Sequence, residues 1–483
     1  MNFVDELIAY FDPVRGAMRA KARMGLEMAR AYDAGKRGRR TAGWHAGGGS
    51  ANAEIGPSLE IVRNRCRDMV RNNEYAARAI DSLVSNTIGD GITAKAPDQT
   101  LWNDWCEYAD ADGQLDFAGL LELGHRTRRE SGEVLFRFRP RAPEDGLPVP
   151  LQIQVLEPDH LDPSKTGQLS NGNFAIAGVE FNQIGQRVAY WMFPVHPGEV
   201  ATFRVRSLES KRVPASEILH YYRKRRPTQV RGMPELAVSL MRLRDLADYE
   251  QAELVRKKIE ACFVAFVRTE NPADRLGETG GPGKGPAQEK VSPGMIKYLS
   301  NADGVEFGSP ATSGGYGEYT TTQLHAIAAG AGTTYPQLTG DNSKANYGSQ
   351  RAGLIEVRAQ IKSEQWLALK PMVLAPIARR FQQAALLAGK TRKPVQAFTW
   401  TMPRQQWIDP LKDVMAEKEA IRGGLTSLSA AIRERGDDPD KVFEEIASDR
   451  RKLEALKVLV DSDAAVSSKL IDAATAAEII GAD

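Results

Sequence analysis

Four places in this sequence hold residue types that could do chemistry. The first is the run Glu157-Pro-Asp-His-Leu-Asp162, where Asp159 and Asp162 flank His160 and could hold a divalent ion or move a proton. Asp and Pro are also what a turn after a strand requires, and that reading is favoured because no second histidine cluster lies nearby. His45, His125, His196, His220 and His325 are scattered, so local spacing assembles neither a zinc site nor a catalytic triad. The second place is GPGKGP, Gly281 to Pro286, which resembles a phosphate loop but has Glu278 where the motif's first glycine belongs. Gly285 stands where a Ser or Thr would hold magnesium, so the motif fails. The third is the series Arg63, Arg65, Arg67, Arg71 and Arg78. Helical spacing puts Arg63, Arg67 and Arg71 on one face with Asp68 and Glu74 close enough to offset them, which favours a salt-bridged surface over a phosphate site. The fourth is Leu338 to Ser349, LTGDNSKANYGS, with Asp341, Asn342, Lys344 and Asn346 around one turn. A polar loop without a core of its own acts on something outside the chain. These residues can touch a polar polymer, but they bring no means of catalysis.

Elements must position these groups, and the composition bounds what kind. A chain of 483 residues suggests several sub-structures, and no apolar run is long enough to span a bilayer. The amino terminus, MNFVDELIAYFDPVRG, is amphipathic and acid-containing rather than basic then apolar. The expectation is a protein made in the cytoplasm and kept there or in something assembled there. Cys66, Cys106 and Cys262 are few, odd in number and far apart, which predicts reduced, buried thiols. Lys and Arg total 64 against 62 for Asp and Glu. Bulk charge therefore does not make the chain a tight duplex binder, and near-neutrality is compatible with a DNA conduit and equally with no DNA role.

Along the chain, residues 1 to 35 read as helical, and Gly35 to Gly56 reads as a flexible basic and glycine-rich arm with Trp44 as an anchor. Two helices follow from Ser58, broken near Asn72 and Asn73 and ending at Gly89 and Gly91. Residues 101 to 131 continue as helix, with Trp102, Trp105 and Tyr108 packing together. Alternation then predicts strands over 133–139, 151–156, 178–181, 188–193 and 218–222, in a small mixed or antiparallel sheet. Pro234 opens a helix to about Val267, roughly 50 Å long at the usual rise. Its later face, Ile259, Cys262, Phe263 and Phe266, is strongly apolar. A Gly/Pro-rich connection with the short strands MIKYL and VEFG leads to a helix over 318–331. After the polar loop, a helix over 350–387 is kinked or divided by Pro371 and Pro376. One strand lies in 395–403, charged helices span 409–454 with breaks at Gly423-Gly424 and Gly436, and an Ala/Ser/Asp-rich tail closes the chain. The fold class is α+β.

Several segments, in this order, resemble the portal proteins of lambda-type tailed bacteriophages: RDMVRNNEYAARAIDSLVSNTIGDGI, SGEVLFRFRPR, LQIQVLEPDHLD, GVEFNQIGQRVAYWMFPVHPGE, RVPASEILHYYRKRRPTQVRGMPELA and YPQLTGDNSKANYGSQRAGLIE. The likeness spans roughly residues 40 to 456 and is weakest at the termini and in the Gly/Pro-rich insert. It implies a ring, usually dodecameric, at one capsid vertex of the virion, assembled in the bacterial cytoplasm, through which double-stranded DNA is packaged and ejected. It implies an N-terminal segment and arm at 1–57, an α+β wing at 58–233, stem helices at 234–267 and 318–337 and a clip at 268–317. A tunnel loop at 338–349, a kinked wing helix with its return strand at 350–408, a helical crown at 409–457 and a tail at 458–483 complete the anatomy. Its partners would be the chain itself, DNA, the large terminase, the major capsid protein and head-completion or tail adaptor proteins, with no membrane, cofactor, metal or catalytic residue. The loop residues carried over are Asp341, Asn342, Lys344, Asn346 and Tyr347, and Lys284, Lys290 and Lys297 in the clip are chosen for charge and exposure. A metal-dependent nuclease and a monomeric DNA-binding adaptor remain as alternatives.

Overall fold

The computed structural model describes residues 47–199, 209–261, 265–269, 296–300, 304–307, 315–343, 346–404 and 409–456, with a few isolated positions besides. Side chains of 259–261 and of 265–307 are not among what is described. The helical reading of residues 1–35 falls almost wholly outside these ranges, and Trp44, Cys262, Lys284, Lys290, Lys344 and the tail lie outside them too.

Helix α1 (Ala51–Ile55) precedes α2 (Leu59–Asn72) and α3 (Glu74–Ile88). The break between α2 and α3 falls where it was expected: Asn73 leaves helical geometry, and its side-chain oxygen accepts the Ala76 amide at 3.0 Å to cap α3. The expected flexible arm ends sooner than Gly56. Asn52 donates to the Thr228 carbonyl at 3.0 Å and accepts the Val230 amide at 2.9 Å, which fixes α1 to the body. Strand β1 (Thr93–Lys95) leads to α4 (Gln99–Glu107) and α5 (Phe117–Ser131), so the expected single helix over 101–131 is two. Trp102 and Trp105 stack on one another at 5.1 Å, but α4 stops at Glu107 and Tyr108 turns out to solvent, 53% exposed.

The strands between Glu133 and Tyr222 form two antiparallel sheets rather than one. β2 (Glu133–Pro140) lies between β3 (Leu151–Leu156) and the later β9. β4 (Gly167–Gln168), β5 (Phe174–Ile176), β6 (Val179–Phe181), β7 (Arg187–Met192) and β8 (Lys211–Pro214) follow as a five-stranded meander. β9 (Ile218–Tyr222) then returns to pair with β2, Glu133 opposite Tyr222. Helix α5 lies so close on this sheet that a Cβ at Gly124 would come within 2.1 Å of the Phe136 ring.

The expected helix from Pro234 to Val267 is corrected. A 3₁₀ turn (Glu235–Val238) precedes α6 (Leu240–Ala261), and Ala265–Thr269 is strand β10. The run AFVRT pairs in parallel with β11 (Ile296–Ser300) and antiparallel with β12 (Gly304–Phe307). Partners on both sides satisfy its backbone, and tertiary pairing overrides helical continuation. α7 (Tyr316–Ala331) packs on α6, with Tyr249 4.8 Å from Tyr319 and Arg242 bonded to Gln323. After the short α8 (Tyr335–Thr339) come α9 (Tyr347–Glu364), a π-helical segment (Gln365–Leu374) and α10 (Ala375–Leu387), joined end to end. Pro371 neither ends nor divides this helix. The wider π turn carries the chain past the missing N–H and the crowded ring.

β13 (Thr399–Thr401) is shorter than its expected span and pairs with β1. α11 (Pro410–Arg422), α12 (Leu428–Glu434) and α13 (Pro439–Leu456) break as the glycines predicted. Among the described residues, three apolar cores form. One joins Trp102, Trp105, Phe136 and Ile153 to Val373 and Phe381, one joins Cys66, Ile80, Leu243 and Ile327, and one backs the meander. Cys66 is buried and Cys106 half-buried, both unbridged, as expected of reduced thiols.

Candidate functional site

The polar loop is narrower than its sequence suggested. Leu338 is fully buried in the core shared by α2, α3, α6 and α7, and Tyr347 and Ser349 already belong to α9, so the loop proper is residues 340–346. Both of its ends are built. Thr334 and Gln337 form a reciprocal capping box on α8, and Gly340 leaves that helix at φ +78, a conformation that suits glycine. Asp341 then shapes the turn: its carboxylate accepts the Ser343 amide at 2.9 Å and the Tyr335 hydroxyl at 3.4 Å. Asn346 caps α9 by accepting the Ser349 amide at 2.8 Å. Asn342 is exposed, and its side-chain oxygen accepts from Gln350 at 2.8 Å. Three of the residues chosen as polymer contacts, Asp341, Asn342 and Asn346, thus spend a side-chain oxygen within the loop and its flanking helices, which leaves the Asn342 amide nitrogen as a donor. Lys344 and the Tyr347 side chain lie outside the described residues. Arg78, from the arginine series, donates to the Gln337 carbonyl at 3.0 Å and ties α8 to α3.

Behind the loop, α9 runs into a buried polar hub. Arg128 on α5, only 1% exposed at its side chain, pairs with Glu235 at 2.9 Å and with Glu364, at the end of α9, at 3.1 Å. Tyr221 on β9 donates to Glu364 at 2.8 Å, and Gln365 donates to the Thr87 carbonyl of α3 at 2.7 Å. His125 completes the chain. Arg129 can only donate, so His125 Nε2 accepts at 3.1 Å and Nδ1–H donates to the Tyr221 oxygen at 3.2 Å. That fixes a neutral tautomer, consistent with burial and then Arg129 and Arg128 pushing this imidazole well below its ordinary pKa. Burial would raise the Glu235 carboxyl, but Arg128, Arg129, Arg225 and Arg223 outweigh it and bring it to about 2. A second hub lies at Glu133, which accepts from Arg231 at 2.8 Å, His220 at 2.9 Å, Arg63 at 3.2 Å and the Gly232 amide at 2.8 Å. These groups arrange charge and fix element positions. They offer no nucleophile beside a base.

Residues 37–365 match the profile described as phage portal protein, lambda family. The chain belongs to this family. A probable portal protein of Halomonas phage phiHAP-1 is 27% identical over 444 residues, covering 85% of this chain and 84% of that one. The portal protein of Escherichia phage N15 is 24% identical, with 84% and 89% covered, and portal protein B of Escherichia phage lambda is 22% identical, with 83% and 85% covered. Among solved structures, a chain in the virion of a native gene transfer agent particle has a TM-score of 0.43 at 15% identity, over 81% of this chain and 95% of that chain. A chain in the neck of an empty gene transfer agent particle, computed with C6 symmetry, has a TM-score of 0.46 at 14% identity, over 82% and 95%. The protein is a capsid portal, of a family that is structural rather than enzymatic. No helix among the described residues is long and apolar enough to cross a membrane.

In the portal, the acid and histidine run does not converge. Asp162 is held by Ser164 and Ser210 at 2.6 and 2.5 Å, and the His160 ring bonds the Phe193 carbonyl at 3.0 Å. The groups that do meet are Glu157, Asp159 and His196, with ligand atoms within 4.8 Å of one another. Arg67 reaches Asp159 at 2.7 Å and Glu157 at 3.4 Å, and Arg63 reaches Asp159 at 3.3 Å, so cations already balance these acids. The nuclease alternative has no supporting constellation here. Arg63 and Arg67 are thus structural, while Arg71 stays exposed with Asp68. Lys297 sits on β11, and nothing further is described of it. The hubs at Glu235 and Glu133 escaped the sequence reading because their members are far apart in the chain. The one local signal was an acid opening an apolar strand, Glu133 in EVLFRFR.

Proposed function

We propose that twelve copies of this portal close into a ring whose axis is lined by residues 340–346, and that double-stranded DNA passes along this lining during packaging and ejection. In a cyclic head-to-tail ring every copy presents the same loop to the axis, so each weak contact is repeated around the channel. Asn342 and Lys344 supply those contacts, while Asp341 and Asn346 hold the loop in the shape that presents them. A densely basic lining would grip a duplex that carries about one charge per 1.7 Å and would resist its movement. One lysine per copy with an aspartate beside it avoids that. The observation that carries this reading is the capped, short loop set between the paired helices α6 and α7 and the long helix α9.

The wing meets the major capsid protein. The clip, residues 268–317 with Lys284, Lys290 and Lys297, docks first the large terminase and then head-completion or tail adaptor proteins. The portal has no catalytic step of its own, since a separate motor hydrolyses the ATP. Assembly takes place in the host cytoplasm. Particles carrying Asn342→Ala with Lys344→Ala should package DNA but retain it poorly. Unchanged packaging and retention would remove the loop from the channel role. Negative-stain images of the purified protein should show rings with a central hole, and compact monomers would count against the whole reading in favour of a monomeric adaptor.

A further inference from the structure

A cavity lies beside the Glu235 hub. It holds about 450 Å³ and is walled by Arg129, Arg223, Lys224, Arg225, Glu235 and Glu364, with the small residues at the C-terminal end of α7. Its charges do not balance. Glu235 alone faces four guanidiniums, with Arg128 and Arg129 at 2.9 and 3.2 Å from one oxygen and Arg225 and Arg223 at 3.2 and 3.5 Å from the other. Glu364 is already engaged by Arg128 and by the Tyr221 hydroxyl. Four arginines therefore share two carboxylates, and Lys224 adds a further cation to the cavity wall. Burial and then the adjacent Arg128 hold the Arg129 pKa below its ordinary value, as expected of a cation short of anions.

The basic segment is held in place rather than left loose. The buried Gln229 side chain accepts the Arg225 amide at 2.8 Å and the Arg226 amide at 3.2 Å and donates to the Arg231 carbonyl at 2.8 Å. Thr228 takes φ +61, an uncommon conformation for a β-branched residue, with its carbonyl and the Val230 amide both tied to Asn52. Several elements thus cooperate to bring this excess of cations to one cavity.

We propose that the cavity is an oxyanion site that takes a phosphate group, either inorganic phosphate or a phosphodiester of DNA. Arginine forks match the oxygens of phosphate, and a concave, partly desolvated wall concentrates the field of its charges. The test uses the full chain as assembled rings. Millimolar inorganic phosphate should raise the unfolding midpoint by about 2–4 °C over chloride at matched ionic strength. Arg223→Gln with Lys224→Gln, both at exposed positions, should abolish most of that rise, and Arg225→Gln alone should reduce it. A short DNA duplex that reproduces the rise in the wild type but not in the double variant identifies the phosphodiester as the source. A rise given by inorganic phosphate and not by the duplex identifies the free ion, and either result upholds the site. Equal midpoints in phosphate and chloride overturn it, as does a full rise in the double variant. A rise that occurs in dissociated subunits but vanishes in rings also overturns it, because a neighbouring copy would then fill the cavity.

Discussion

Asn346 was chosen from the sequence for what it could touch, and the fold uses it for what it holds. Its side-chain oxygen accepts the Ser349 amide, so its removal should loosen the first turn of α9 by about 1 kcal/mol, the usual worth of such a cap. A cap needs only a short acceptor. Asn346→Ser should therefore keep DNA retention near wild type and Asn346→Ala should lower it, and equal defects of the two variants in that retention assay would return Asn346 to the role of a contact. Asp341 follows the same logic, since its carboxylate closes the turn onto Ser343 and Tyr335. Asn and Asp are enriched both where backbones turn and where polymers are touched. Composition cannot separate those two uses. Only the hydrogen-bond partners do.

At the scale of elements, α5 on the sheet of β2, β3 and β9 shows how closely helix and sheet are packed. Gly124→Ala would drive a methyl group into the Phe136 ring, where both partners are buried, and should cost about 1–3 kcal/mol in denaturant unfolding. A cost near zero would mean that helix and sheet can separate freely. Most helices and the longer strands were legible from period and punctuation: the Asn73 break, the alternation in EVLFRFR and the glycine stops at 423 and 436 all appear where they were read. Several shorter or ambiguous elements were not. β1 is three residues whose partner, β13, lies far along the chain, and so short a strand carries no periodic signal. β10 looked like the end of a helix because an apolar run can be either, and pairing with β11 and β12 decided it. Pro371 looked like a break, yet a π turn absorbs it and keeps Leu369, Val373 and Leu374 in the core.

Across the whole molecule, two buried ionic hubs join segments that the sequence keeps apart, and they make stability depend on pH. Burial, with Arg187 and Arg231 opposing the help of Glu133, lowers His220 to about 4 from its ordinary 6.5. The folded chain thus keeps His220 neutral while the unfolded chain takes up a proton. The stability it supports is full above pH 6.5 and is lost as pH falls from 6.5 to about 4, a loss of about 3 kcal/mol. Glu235, brought from 4.5 to about 2, adds stability that is full above pH 4.5 and disappears as pH falls towards 2. Denaturant midpoints should therefore begin to drop near pH 6.5, and His220→Gln should flatten the upper part of that drop. A profile flat from pH 7 to 5 in the wild type would show that His220 is not held neutral. The family, the mixed helix and sheet class, the order of the longer elements and the place of the polar loop were all legible along the chain. Those features are written in local period, turn chemistry and motif order. Folding was needed to show that Asp341 and Asn346 shape the loop, that Arg63 and Arg67 balance Glu157 and Asp159, and that Arg128, Arg129, Arg223 and Arg225 crowd one carboxylate. Partners in a charged network are chosen by distance in space, and nothing in the spacing along a chain records which distant residues folding will bring within a hydrogen bond of each other.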